Sequence, residues 1–218
     1  MRKVNLIPMA GAGQRFVDAG FKVPKPLIEV NGVPMVVQAS KCLPAADHWI
    51  FICREEHIRE NGIDEELKHY FPNSDIVSIG YLTEGQASTC LLARDFLEPD
   101  DMLNIAACDN AMEYNTVDFE KQISNADALI WTFRNNTVVQ QNPNMYGWVD
   151  VDRSEKVVRV SCKEPISDDP IHDHAVIGAF SFQRAETFIR CVKSTICNNR
   201  RINNEFYITQ IYKEMIQD

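Results

Sequence analysis

The chain has 218 residues, of which 45% are hydrophobic and 24% are charged, and its formal net charge is −9. This composition is that of an ordinary globular protein and excludes a disordered or low-complexity chain. Residues 1–28 hold five basic side chains against the single acid Asp18, a local charge of +4 that leaves −13 for the remainder. The overall charge disfavours a nucleic-acid binder, because counterion release needs a basic surface. The local excess of positive charge fits a small anion site.

No apolar run reaches the roughly 20 residues that span a bilayer, and the N-terminal segment lacks a signal-peptide core. We therefore expect a cytoplasmic protein without a membrane partner. The seven cysteines are scattered, with no C-x-x-C pair and no zinc-ligand spacing. This pattern predicts reduced thiols in the core rather than disulfides or a metal site.

The first half of the chain alternates segments typical of strands with segments typical of helices. The predicted strands are 3–9, 49–53, 75–80 and 102–108, and the predicted helices are 34–42, 62–70 and 86–96. Such an alternation predicts an α/β fold with a doubly wound, mostly parallel, Rossmann-like sheet.

Beyond about residue 127 the alternation of strands and helices is replaced by predicted strands joined by short turns. The predicted strands are 128–133, 147–151, 156–160 and 175–182. A last helix is predicted to begin near Glu205, because apolar residues recur at helical spacing from Ile208 to Met215. We expect a mixed-strand extension of the parallel sheet, and no linker or repeat indicates a second independent domain.

A glycine-rich turn directly follows the first predicted strand. Gly11 and Gly13 allow the backbone to approach an anion closely. A dinucleotide-binding turn would need a third glycine where Phe16 stands, and the Gly-Lys-Ser/Thr of a P-loop is absent. Lys25 lies between Pro24 and Pro26, which disfavour a helix and hold it on a stiff loop.

Three segments occur in this order: Ala10-Gly11-Ala12-Gly13-Gln14-Arg15-Phe16, then Pro24-Lys25-Pro26-Leu27, then Asn31-Gly32-Val33-Pro34-Met35. Their pattern resembles A-G-x-G-x-R, P-K-P-L and N-G-x-P-M/L of the sugar-phosphate nucleotidyltransferase family, and looser matches extend it over most of residues 1–182. The resemblance implies transfer of a nucleoside monophosphate from a nucleoside triphosphate to a phosphorylated small molecule, with release of pyrophosphate and Mg²⁺ as cofactor. It also implies one catalytic domain over 1–218, with a nucleotide-binding half at about 1–125 and an acceptor-binding half at about 126–218.

The resemblance also assigns roles to the first segments. Residues 10–13, namely Ala10, Gly11, Ala12 and Gly13, would bind the triphosphate through their backbone. Arg15 and Lys25 would neutralise phosphate charge, the former through its fork of donors and the latter as a point charge. Asp109, at the end of a predicted strand, would bind Mg²⁺. Cys108 stands where the family usually has glycine, and Asn110 follows.

Further matches concern the base, the acceptor and the metal. Gly85 and Gln86, within Thr83-Glu84-Gly85-Gln86-Ala87, would contact the base. Gly147, in a Tyr-Gly-Trp segment, and Lys163, where the order of Lys and Glu is transposed, would meet the acceptor. Glu205 would be a second Mg²⁺ ligand with Asn203 as the alternate, unless they are only a helix-start acid and a cap. The segment 172–174, His-Asp-His, fits a loop near the acceptor better than a metal site.

The expected partners are a nucleoside triphosphate and a phosphorylated acceptor, and homo-oligomers are left open. Hexose 1-phosphates and non-sugar phosphates both remain as acceptors, with CTP among the candidate nucleotides and surface-polysaccharide precursor synthesis as the expected setting. One alternative is a metal-dependent GT-A-like glycosyltransferase, which would normally use an Asp-x-Asp pair where this chain has only Asp109. The other alternative is a non-catalytic nucleotide-binding domain.

Overall fold

The computed structural model of the chain describes residues 1–217. The strands are β1 (Lys3–Pro8), β2 (Glu29–Val30), β3 (Val33–Pro34), β4 (His48–Arg54), β5 (Ser74–Ile79), β6 (Met102–Ala106), β7 (Ala128–Phe133), β8 (Gly147–Val151), β9 (Val157–Cys162) and β10 (His174–Phe182). The helices are α1 (Gln14–Asp18), α2 (Met35–Lys41), α3 (Glu55–Asn61), α4 (Ile63–Tyr70), α5 (Gln86–Leu91), α6 (Thr116–Ile123), α7 (Val138–Gln141), α8 (Ala185–Cys197) and α9 (Ile208–Gln217). Within this range no helix combines the length and hydrophobicity needed to cross a membrane.

Four parallel strands form the first half of an eight-stranded sheet, in the spatial order β5-β4-β1-β6. Continuous apolar runs such as Ile50–Cys53 form these strands because both faces of the sheet are covered and fully buried. The carboxyl ends of β1 and β6 lie side by side at one edge of the sheet, which is where open α/β sheets bind ligands. The prediction of a doubly wound, Rossmann-like sheet is confirmed.

The remaining strands extend this sheet with antiparallel pairs, as the sequence predicted. Strand β10 pairs with β6 through Ala179–Phe182 and with β8 through His174 and Ala175, and it also pairs with β7. Its register against β7 shifts between Val176 and Phe180, which marks a bulge. Strand β9 lies at the far edge and pairs only with β8 among the described strands.

A chain of buried polar side chains crosses the centre of the sheet. Asn104 of β6 donates to Asn5 of β1 at 2.9 Å, and Ser181 of β10 donates to Asn104 at 2.7 Å. Trp131 of β7 donates to the Ser181 hydroxyl at 2.9 Å, and the Asn5 amide donates to the carbonyl of Pro44. Four neighbouring strands therefore share one satisfied polar network, which favours a single register.

The helices cover the two faces of the sheet. Helices α5, α8 and α9 pack on one face, and α2 and α4 pack on the other. Helix α8 was not predicted, although Ala185, Phe188, Val192 and Thr195 place a buried stripe along it. Full burial of a side chain such as Phe188 contributes about 2 kcal/mol or more, so this helix is a substantial part of the core.

Four predicted boundaries were wrong by two residues or more, and one of them is the end of β9, which is Cys162 rather than residue 160. The helix predicted over 86–96 is α5 followed by a separate 3-10 turn at Arg94–Phe96. Strand β6 ends at Ala106, two residues earlier than predicted. The last helix begins at Ile208 rather than near Glu205, because a tight turn occupies the residues before it. The seven cysteines are thiols rather than disulfides, and five are buried as predicted, but Cys42 is half-buried and Cys197 is exposed.

Candidate active site

The glycine-rich loop connects β1 to the short helix α1. Gly13 has a φ of +62°, a left-handed conformation that favours glycine, and its carbonyl accepts a hydrogen bond from Phe16 at 2.8 Å. Gly11 differs, because a Cβ built there would meet no atom within 4 Å. Nothing in the described protein therefore requires glycine at position 11, and its bare backbone remains open to a ligand.

Lys25 begins a single 3-10 turn, Lys25–Leu27. Its flanking prolines prevent a longer helix, as predicted, but one tight turn forms because Pro26 is near its start, where an N–H is not needed. The Lys25 ammonium lies 2.5 Å from an Asp109 carboxylate oxygen and 5.5 Å from the centre of the Phe16 ring. Two of the predicted catalytic residues, distant in sequence, are thus in direct contact.

Asp109 follows the end of β6 in a loop that is fastened to β10. The Ala107 amide donates to the Gly178 carbonyl at 3.0 Å, and the Asn110 side chain donates to the Ile177 carbonyl at 2.5 Å. The Asp109 side chain is 28% exposed and that of Lys25 is 20% exposed, so both remain accessible to a ligand. Burial raises the pKa of the adjacent Cys108 thiol to about 11, which keeps it neutral.

A cleft with a volume of about 530 Å³ lies between the glycine-rich loop and Lys25, and it is lined by Cys108 but not by Asp109. Its basic lining residues are the predicted Arg15 and Lys25, together with Lys22. The opposite wall comes from α3 and includes His57, which sequence reasoning missed. Burial lowers the pKa of His57, and its Nδ1 atom has no hydrogen-bond partner among the described residues. The only available signal was its position just after β4, at the same edge of the sheet.

Gly85 and Gln86, predicted to contact the base, lie at the start of α5 and do not line this cleft. Their segment is instead bound to the chain before α9. The Phe206 amide donates to the Glu84 carbonyl at 2.7 Å, and the Ala87 amide donates to the Phe206 carbonyl at 2.9 Å. A Cβ at Gly85 would lie 2.6 Å from the Phe206 nitrogen, and the φ of Gly85 is +109°. The close approach of Phe206 and the positive φ both require glycine here.

Asn203 and Glu205, the alternative metal ligands, belong to one tight turn. Asn203 and Asn204 have φ values of 49° and 64°, and the backbones of Ile202 and Glu205 bond reciprocally at 3.0 and 2.9 Å. These features define a type I′ turn, in which asparagine is favoured. Neither residue is at a helix start, so the interpretation as cap and dipole partner is wrong. Burial and the hydrogen-bonded Glu205 carboxylate raise the pKa of Tyr207.

Lys163 and Arg15, from opposite halves of the chain, reach the same residue. The Lys163 ammonium donates to the Met145 carbonyl at 2.6 Å and lies 5.4 Å from the centre of the Tyr207 ring. The Arg15 guanidinium lies 3.8 Å from the Met145 sulfur. Met145, which was not predicted, therefore joins the glycine-rich loop to the residues predicted to bind the acceptor.

Gly147 is the first residue of β8 and packs against α9. A Cβ there would lie 2.9 Å from the Thr209 hydroxyl and 3.2 Å from a Val176 methyl carbon. Its glycine identity is explained by this close packing. In the segment 172–174, the aspartate accepts hydrogen bonds from Ser167, and the two histidine rings bond to Asn135 and Thr132. His172 and Asp173 lie in a loop, as predicted, but His174 is the first residue of β10. No cluster of three or more His, Cys, Asp or Glu able to hold a metal occurs in residues 1–217.

A family model described as nucleotidyl transferase matches residues 4–217. No significant match is found among curated protein sequences.

Several solved structures have the same fold. A nucleoside-diphosphate-sugar pyrophosphorylase from Vibrio cholerae RC9 is 20% identical, with a TM-score of 0.77 over 98% of this chain and 87% of its own. An inositol-1-phosphate CTP transferase from T. maritima is 12% identical, with a TM-score of 0.72 over 99% and 82%. A UTP-bound UGPase from Acinetobacter baumannii is 15% identical, with a TM-score of 0.71 over 100% and 83%.

Proposed function

Because the chain belongs to the nucleotidyl transferase family, we propose that it transfers a nucleoside monophosphate from a nucleoside triphosphate to a phosphorylated small molecule. A phosphate oxygen of the acceptor attacks the α-phosphorus, the bond from that phosphorus to the β-phosphate oxygen breaks, and pyrophosphate leaves. The observation that carries this proposal is the contact of Lys25 with Asp109 beside the glycine-rich loop.

The proposed work of the chain is to hold two anionic reactants in line. The open backbone at Gly11 and the guanidinium of Arg15 bind the triphosphate. Lys25 exchanges its carboxylate partner for phosphate oxygens and stabilises the charge that develops as pyrophosphate leaves. Lys163 holds the acceptor phosphate, with Gly147 beside it. No covalent intermediate is needed, because positioning and charge stabilisation account for this chemistry.

Asp109 fits the Mg²⁺ that the family resemblance implies. Its carboxylate is a hard oxygen ligand that is partly exposed at the end of a central strand. Mg²⁺ commonly needs only one or two protein carboxylates, since water and substrate phosphates complete its shell. Glu205, with Asn203 as the alternate, is proposed as the second ligand. When bound, the ion would neutralise phosphate charge and polarise the reacting phosphoryl group.

The substrate pair is proposed from the resemblance and from the names of structural neighbours. These neighbours include a CTP transferase of inositol 1-phosphate and a UTP-bound UGPase. We propose a sugar 1-phosphate or a non-sugar phosphate as acceptor, with CTP the first nucleotide to test. The proposed setting is cytoplasmic synthesis of an activated precursor for surface polysaccharide.

A substrate matrix tests this function. CTP, UTP, dTTP and GTP are each combined with a panel of phosphorylated metabolites in the presence of Mg²⁺, and pyrophosphate release is measured. We expect release above background for one nucleotide with one class of acceptor. Release with no combination, or equal release from reactions without acceptor, would contradict the proposal.

A further inference from the structure

Strand β10 is irregular at the point nearest to Asp109. Val176 pairs with Thr132 of β7 and Phe180 pairs with Ile130. Four residue positions along β10 therefore correspond to two positions along β7. The extra residues form a bulge around Gly178, whose φ is +88°. Bulges re-aim groups next to functional sites, and this one turns toward the loop that follows β6.

The bulge fastens that loop on both sides of Asp109. On one side the Ala107 amide donates to the Gly178 carbonyl at 3.0 Å, and on the other the Asn110 amide group donates to the Ile177 carbonyl at 2.5 Å. Asp109 lies between the two fastened residues. Its side chain is thereby directed to the ammonium of Lys25, 2.5 Å away.

Gly178 leaves the space that the Asn110 side chain occupies. A Cβ at position 178 would lie 3.1 Å from the Asn110 amide nitrogen and 3.5 Å from the Ala107 Cβ. The 3.1 Å distance is shorter than ordinary packing allows. A side chain at position 178 would therefore displace the Asn110 amide nitrogen, which donates to the Ile177 carbonyl. The positive φ and the close approach together require glycine.

We infer that Asn110 is a positioning residue, which holds the Asp109 carboxylate in its working orientation through the Ile177–Gly178 bulge. The inference rests on the proposed function, in which Asp109 is a Mg²⁺ ligand. Asn110 itself acts through Asp109, because its donor group is already committed to the Ile177 carbonyl. Residues that orient a metal ligand typically alter metal affinity by ten-fold or more when removed.

Binding of Mn²⁺, used in place of Mg²⁺, tests this inference without relying on turnover. Mn²⁺ is titrated into the protein, and the free ion is followed by electron paramagnetic resonance. The titration is repeated in the presence of CTP, UTP, dTTP or GTP. Nucleotide affinity is measured separately with a chelator present. We expect Asn110→Ala to weaken Mn²⁺ binding about ten-fold while metal-free nucleotide affinity stays within about two-fold.

Asn125→Ala is the matched control, because Asn125 is also an exposed asparagine whose amide donates to a backbone carbonyl, that of Lys121 at 2.7 Å. It should leave both affinities unchanged. Gly178→Ala should also weaken Mn²⁺ binding, and its effect should be smaller in the Asn110→Ala background, because the displaced side chain is already absent.

Mn²⁺ affinity of Asn110→Ala equal to that of the parent would overturn the inference. An equal loss of metal-free nucleotide affinity would also overturn it, since that result indicates general loosening of the site. If the parent itself has no Mn²⁺ site that depends on a triphosphate, the proposed function fails, and the inference fails with it.

Discussion

Lys25 and Asp109 form the ion pair on which the proposed site depends. Each keeps about a quarter of its side chain exposed, and the 2.5 Å contact pairs the two charges. A triphosphate offers Lys25 a more highly charged partner, while Asp109 becomes available to a cation. In the proposed function we expect this pair to couple binding of the nucleotide to binding of the metal.

Replacing Lys25 by alanine tests its part in catalysis. We expect Lys25→Ala to lower turnover by roughly two to three orders of magnitude, because a preorganised donor to developing charge is lost. The midpoint of thermal unfolding should move little, since the turn is fixed by its prolines. Lys41→Ala is the control, because Lys41 makes a similar contact with an aromatic ring, 5.3 Å from the centre of Tyr70. Equal turnover of the two variants would show that Lys25 is an ordinary surface lysine.

Sequence patterns predicted these residues singly but not their contacts. The motifs identified Lys25, Arg15 and Asp109 because their residue types follow from the charge of the substrates. They did not reveal Met145 or His57, since these reach the site through tertiary packing. The glycines fall into two groups, those open to a ligand and those required by contacts within the protein. Gly11 is open for a ligand, whereas Gly85 and Gly147 are explained by contacts with the chain near α9.

At the scale of elements, strands were predicted better than helices. Buried parallel strands are short continuous apolar runs, so β4 is visible directly in the sequence. Helix α1 has five residues and buries none of them, so it has no periodicity to detect. Helix α8 has a buried stripe but is rich in Thr, Cys, Val and Ile, which are weak helix formers. Its stability comes from packing on the sheet.

The polar network across β1, β6, β10 and β7 allows a direct test of element pairing. Ser181→Ala should lower the free energy of unfolding by about 1–2 kcal/mol, because the indole N–H of Trp131 and the side-chain Oδ1 of Asn104 both lose this partner. Ser40→Ala is a matched control, because Ser40 is equally buried but its hydroxyl has no hydrogen-bond partner among the described residues. Urea unfolding should give Ser40→Ala the same free energy of unfolding as the parent. Equal losses in both variants would contradict the role of the network.

At the scale of the whole molecule, a half-buried ion pair between Arg2, just before β1, and Asp101 ties the start of the chain to the loop before β6. The Arg2 guanidinium contacts both oxygens of Asp101, at 2.9 and 2.5 Å, and the Glu98 amide donates to the same carboxylate at 2.8 Å. Burial alone would raise the pKa of Asp101, but the hydrogen bonds from Arg2 and Glu98 and the charge of Arg2 outweigh it and lower that pKa. The ionised form is therefore favoured in the folded protein.

This lowered pKa has a defined consequence for stability. Its contribution is fully present above the usual carboxyl pKa of about 3.9 and is lost as the pH falls through the folded value. Asp101→Asn should be less stable than the parent by about 1.5 kcal/mol at neutral pH, a figure reduced by the partial exposure of Arg2. Urea unfolding of both proteins should show this gap narrowing below about pH 4. A difference in the free energy of unfolding that does not change with pH would show that the pKa of Asp101 is not lowered in the folded protein.

The central claim is that the attacking atom is a phosphate oxygen of a second substrate. Pyrophosphate release is measured in heavy-oxygen water, with and without the acceptor that the substrate matrix identifies, and the products are analysed by mass spectrometry. We expect release only when the acceptor is present, with no heavy oxygen in the nucleotide product. Release at full rate without acceptor, with heavy oxygen in a nucleoside monophosphate, would show that water is the nucleophile and would contradict the proposed transfer.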